Sequence, residues 1–162
     1  MRVVEGTATV EDVDAFVERL GEIGEAHDAT VQAFDARYVV DRRHLERACE
    51  LAGRAFDRGE NVARERAVEI LLYAAGRRQI ERALTMGISE GECPAAIVVD
   101  GGDETGAADA AEKLLDAGET LGEYDAERVR DFFEISDDEL AATDGGLAEI
   151  VHERVALLVV EK

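Results

Sequence analysis

Residues Glu69–Leu84 read EILLYAAGRRQIERAL, and the way this run folds decides the architecture around it. Take it, with the two residues before it, as one straight helix turning about 100° per residue. Ala67, Val68, Ile70, Leu71, Ala74 and Ala75 then share one half of the wheel. Ile80, Ala83 and Leu84 fall on the opposite half, with Leu72 near the boundary. A single straight helix would have to bury both sides at once. A break at Gly76 removes the conflict, because glycine tolerates the backbone of a helix end. A second short helix starting near Arg77 would then bury Ile80, Ala83 and Leu84. That break places Arg77, Arg78 and Gln79 in the first turn of the new helix, where the dipole is already positive and arginine is unfavourable by itself. The placement makes sense if an anion arrives, since free backbone N–H groups and guanidinium groups would converge on it. Tyr73 could add a stacking surface and the Gln79 amide a base-edge partner. The alternative is that Arg77 or Arg78 pairs with Glu81 along the same helix. The residues alone leave both open.

Outward from this run, charge is the next signal. The chain has 162 residues, 46% of them hydrophobic, and a net charge of −20. That length supports one domain with a core needing no disulfide or metal staple. Of 18 cationic residues only Lys113 and Lys162 are lysines. Acid spread over helices with lysine nearly absent is the habit of proteins from a salt-saturated cytoplasm, where screening tolerates like charge. Residues 37–82 depart from this, with 11 arginines against 8 acids. A locally basic strip in so acidic a chain suggests that contact with an anion is protected there. Arg64 and the Arg77-Arg78 pair lie inside it. No stretch approaches a membrane span and the N-terminus lacks the apolar block of a signal peptide, so the expected compartment is the cytoplasm, with no membrane partner. Cys49 and Cys93, two thiols far apart, are expected to stay reduced.

The remaining pattern predicts strands at Val3-Val4 and Thr7-Ala8, then a helix opened by a capping-type Thr9–Asp12 and burying Val13, Phe16, Val17 and Leu20. Thr30–Phe34 reads as a strand, and Tyr38-Val39-Val40 as its continuation or neighbour. Asp41 caps a helix running to Gly59, and another helix covers residues 64–75. Ser89–Cys93 reads as a turn before the strand Ala95–Val99, with Pro94 where the strand begins. Helices follow over 105–116 and 125–134. Ser136–Glu139 is a capping box, Asp144-Gly145-Gly146 a stop, and a last helix runs to about His152. Val155–Val160, rich in valine, reads as a closing strand. The expected fold is α+β, a single domain over 1–162 with a small, mostly antiparallel sheet flanked by several helices.

Other constellations point to no chemistry. Asp100–Gly106 follows a strand and precedes a helix, as a phosphate loop does, but it lacks the Walker lysine and carries three acids. His27, His44 and His152 have no metal-like spacing with one another or with the cysteines. No catalytic residue, metal or cofactor is called for.

The motif Glu69-Ile70-Leu71…Ala74…Gly76…Arg78-Gln79-Ile80…Ala83, with the His44-Leu45…Ala48…Ala52 helix and the Asn61…Ala63-Arg64 lead-in before it and Glu153–Leu157 near the end, resembles the PRPK-binding (TPRKB-like) subunit of the KEOPS complex. The resemblance covers nearly the whole chain. It implies a small antiparallel sheet packed with helices and no catalytic role. It also implies binding to the small lobe of the complex's kinase-like ATPase, support of its activity, and indirect association with the other KEOPS subunits. In archaea it implies recruitment of transfer RNA through its single-stranded acceptor end, for the threonylcarbamoyl modification of adenosine. By this resemblance Gly76, Arg78 and Gln79 face the RNA and Ile80 anchors the turn. Arg77 and Tyr73 fall at unspecified positions of the motif. The kinase surface is placed near Ile150, Val151, Val155 and Leu157. The competing readings are a purely protein–protein adaptor, with the arginines held in internal ion pairs, and a small enzyme using the Asp100–Gly106 loop.

Overall fold

The computed structural model describes residues 1–161, Glu161 in its backbone only. Four strands, β1 (Arg2–Val10), β2 (Thr30–Asp35), β3 (Gly91–Asp100) and the two-residue β4 (Asp116–Ala117), form one antiparallel sheet in the order β2-β3-β1-β4. The α+β expectation holds. Side-chain alternation makes both faces of the sheet apolar. Val4, Ala8, Val31, Ala33, Ile97 and Val99 point to one side, Phe34, Ala96 and Val98 to the other. Each face therefore needs a helical layer.

The first layer is α1 (Val13–His27) and α5 (Glu104–Glu112), which bury Leu20, Ile23, Ala107, Ala108 and Ala111. Outwardly this layer is acidic: α1 carries four acids and one arginine, α5 three acids and no cation. The cap of α1 is Asp12, whose carboxylate accepts the Ala15 N–H at 3.2 Å, while Thr9 belongs to β1. The second layer holds α2 (Arg42–Asp57), α3 (Arg66–Ala75), α6 (Ala126–Phe133) and α8 (Gly146–Glu161), with the short α4 (Ile80–Ala83) and α7 (Asp137–Ala141) at its margin. Asp41 caps α2 through the His44 N–H at 2.8 Å, and the Ser136–Glu139 capping box is formed on both sides.

Several expectations are corrected. Val155–Val160 is not a strand: α8 continues through it. The buried residues Leu147, Ile150, Val151, Val155 and Leu158 recur at helical spacing, and burying that stripe outweighs the β preference of the valines. Tyr38–Val40 is not a strand either. Ala36–Tyr38 form a 3-10 turn capped by Asp35, after which Val39 and Val40 are buried as a linker. Ser89–Cys93 is only in part a turn, since β1 pairs as far as Val10↔Gly91 and draws Gly91–Cys93 into β3. Pro94 thus lies inside β3, but β2 ends at Asp35 opposite Ala95, so the proline sits where β3 has only β1 as neighbour.

Candidate functional site

The site is built at the end of α3. Every residue from Glu69 to Ala75 is buried, so this helix is a central post rather than an amphipathic surface element. Its foot is fixed by Glu69, wholly buried, whose Oε1 accepts the N–H groups of Val62 at 3.1 Å and Ala63 at 2.9 Å. Its top ends at Gly76 in the left-handed conformation, φ 62°. The Gly76 N–H reaches the Tyr73 carbonyl at 3.1 Å and the Arg77 N–H reaches back to Leu72 at 3.1 Å, a Schellman-type close. A side chain at Gly76 would also bring its Cβ to 3.2 Å from the Arg154 carbonyl of α8. The Ala74 carbonyl, freed by the helix end, accepts from the Nε2 of buried His44 at 2.7 Å, while the His44 Nδ1 accepts the Val40 N–H at 3.3 Å. That pair of bonds fixes the neutral tautomer, and burial lowers the His44 pKa to about 4.

The break at Gly76 stands, but the second helix starts later than expected, at Ile80. Arg77, Arg78 and Gln79 therefore form an extended link and not a first helical turn. Arg78 and Gln79 are exposed, and neither side chain has a partner among the described residues. Arg82, four positions beyond Arg78, is exposed beside them. Arg77 turns inward. Its guanidinium lies over the Phe132 ring, 4.8 Å from the centroid, donates to the Phe132 carbonyl, and stands 4.0 Å from the Glu134 carboxylate. It does not pair with Glu81.

The predicted site residues are thus separated by the fold. Gly76, Arg78 and Gln79 form one exposed turn. Tyr73 is 2% exposed, which leaves no face for a stacked base, because α3 is buried on all sides. Arg64 is exposed, but at the opposite end of the ten-residue α3, about 15 Å away by helical rise. Ile80 is not the anchor: it is 42% exposed, and Leu84 56%, while Ala83 and Met86 are fully buried. In a one-turn helix only one or two positions reach the core. Of the residues assigned to the kinase surface, Ile150, Val151 and Val155 form the buried stripe of α8, and only Leu157 faces outward, with Val159 and Val160 near it. Sequence reasoning missed the bracing of the turn by Phe132 and Glu134, because no local pattern links residues some fifty positions apart.

In the Asp100–Gly106 loop two of the three acids bind the loop's own backbone and the third an arginine. Glu104 accepts the Gly101 N–H at 2.8 Å, Asp103 caps α5 through the Gly106 N–H at 3.0 Å, and Asp100 pairs with Arg66 at 3.0 Å. The cleft beside Asp100, about 440 Å³, is wide open and lined by Glu46, Glu50, Asp57, Arg54 and Arg66, with no histidine. Among the described residues, no group of three or more His, Cys, Asp or Glu could hold a metal ion, and no helix is long and apolar enough to cross a membrane.

What the fold presents is an exposed basic turn after α3 and an exposed apolar end to α8. The family model described as kinase binding protein CGI-121 matches residues 8–158. The chain belongs to that family of kinase-binding proteins, the one indicated by the Gly76–Ile80 motif. No single curated protein matches the chain significantly.

Proposed function

We propose that this chain is a non-catalytic KEOPS subunit that docks on the kinase-like ATPase, supports its activity, and recruits transfer RNA by the single-stranded acceptor end. The carrying observation is the turn after α3, where Arg78 and Gln79 stand exposed and unpartnered while the backbone N–H groups of Gly76 and Arg77 are held by α3. An unpaired RNA strand offers phosphates for the guanidinium groups of Arg78 and Arg82 and base edges for the Gln79 amide. Binding should be measured between the protein and a transfer RNA with and without its unpaired 3′ end. Arg78→Glu is expected to lower affinity for the intact RNA at least tenfold, with the melting temperature unchanged. Equal binding by wild type and variant, or indifference to removal of the RNA tail, would sink the RNA half of the proposal.

For the kinase half, the exposed Leu157, Val159 and Val160 end of α8 is the surface we assign to docking. An exposed apolar cluster on one helix is the usual make-up of an interface anchor. Leu157→Asp is expected to abolish co-purification with the kinase-like subunit while leaving the circular dichroism spectrum intact.

A further inference from the structure

Two neighbouring arginines leave the Gly76 turn in opposite directions. The inward one, Arg77, has a side chain only 13% exposed, and its Nε is buried with no hydrogen-bond partner. Burial first, and then the charge of Arg82, pull its pKa below the usual arginine value. Such a placement is costly unless it does something for the partner. The partner is the C-terminal end of α6. That helix closes with Glu134 in the left-handed conformation, φ 54°, and the N–H groups of Glu134 and Ile135 take up the carbonyls of Asp131 and Arg130. The Phe132 carbonyl is the next one out, and Arg77 donates to it. A cation there also complements the negative end of the helix dipole. Arg77 thus caps α6 from 55 residues away in the chain.

We infer that Arg77 is a positioning residue and not an RNA ligand: by capping α6 and covering Phe132 it fixes the direction in which Arg78 and Gln79 project, so that the α6 end sets the affinity of the turn for an unpaired RNA strand. This rests on the RNA reading proposed above. It assigns the first arginine of the pair, Arg77, to the protein, and leaves phosphate contact within the pair to Arg78.

Binding of a labelled single-stranded RNA oligonucleotide, followed by fluorescence anisotropy over a salt series, tests it with the full chain as wild type, R77A, R78A, R77A/R78A and F132L. In the expected result R77A weakens binding about tenfold, and its salt slope falls no further than that of R78A. F132L, which removes a ring and no charge, weakens it in the same direction, and the loss from R77A shrinks once Arg78 is gone, to the part carried by Gln79. Several outcomes overturn the inference. They are a double variant whose losses are fully additive and whose salt slope is shallower than that of R78A by about 0.7, the signature of a second lost phosphate contact; unchanged binding in R77A; and unchanged binding in F132L. Hydrogen exchange supplies a readout that needs no RNA. The amides of residues 77–80 should exchange faster in R77A and F132L with the β3 amides unaffected, and unchanged exchange removes the clamp. A wild type that binds no RNA while exchange responds as expected would instead defeat the RNA reading, and the affinity claim with it, leaving the cap on α6 standing.

Discussion

At the scale of single residues, the last turn of α3 is closed by two different devices. Gly76 supplies a backbone conformation that other residues adopt at a cost, and His44 supplies a donor to the Ala74 carbonyl. Gly76→Ala should destabilise the protein by about 1–2 kcal/mol from the left-handed backbone alone, with a further penalty from the 3.2 Å approach to Arg154. Urea unfolding would measure it. His44 makes stability depend on pH. Its pKa is about 4 in the fold against an ordinary 6.5. Between those values the unfolded chain takes up a proton that the folded protein refuses. Stability is therefore full above about pH 6.5, falls as pH drops toward 4, and stops falling from this cause below that. The loss is on the order of 3 kcal/mol. His44→Gln should flatten the wild-type stability slope between pH 4 and 6.5 in a series of urea titrations; an identical slope would exclude His44 as its source. The nearby His152, which contacts Asp41 at 2.9 Å, adds its charge against protonation of His44.

At the scale of elements, α8 shows what a sequence hides. Its second half, Val155-Ala156-Leu157-Leu158-Val159-Val160, is a short β-branched run, and over six residues the periods of strand and helix cannot be told apart. Only the whole stretch from Leu147 displays the stripe that settles it. Val151→Ala and Val155→Ala, both at fully buried positions, should each cost about 2 kcal/mol. Val160→Ala, at an 81% exposed position, should stay within about 0.5 kcal/mol. A strand in this place would put Val155 and Leu158 on opposite faces, so Leu158→Ala, at a 1% exposed position, should cost as much as Val155→Ala in the helix, and an insensitive Leu158 would point to the strand. The break at Gly76 was legible from two apolar stripes on opposite sides of one wheel, although of the second stripe only Ala83 is buried. What followed it was not. The start of α4 at Ile80, the inward turn of Arg77 and the exposure of Ile80 depend on Phe132, Glu134 and Arg154, which local spacing does not bring near. Tyr73 was misread for a related reason: the wheel gives the side of a helix, but not that α3 is enclosed on every side.

At the scale of the whole molecule, the sheet separates two populations of charge. The acids of α1 and α5 lie on one side, and the arginines of α2 and the Gly76 turn lie on the other, where they share the layer with the acids of α6, α7 and α8. A −20 protein binding RNA through Arg78 and Arg82 should show few phosphate contacts. The logarithmic salt slope is therefore expected to be no steeper than about −1.4, two contacts on a single strand. A slope several times steeper would require a basic surface larger than this turn. The layering has a further consequence for the encounter itself. A polyanion some distance away repels the α1–α5 side more strongly than the side that carries the basic turn, and this unequal repulsion is a torque that turns the α1–α5 side away before any atoms touch. The reach of that torque is the screening length, about 30 Å at 0.01 M salt and about 3 Å at 1 M. In dilute salt the protein meets RNA already oriented; in concentrated salt it tumbles freely and must find the right face by collision.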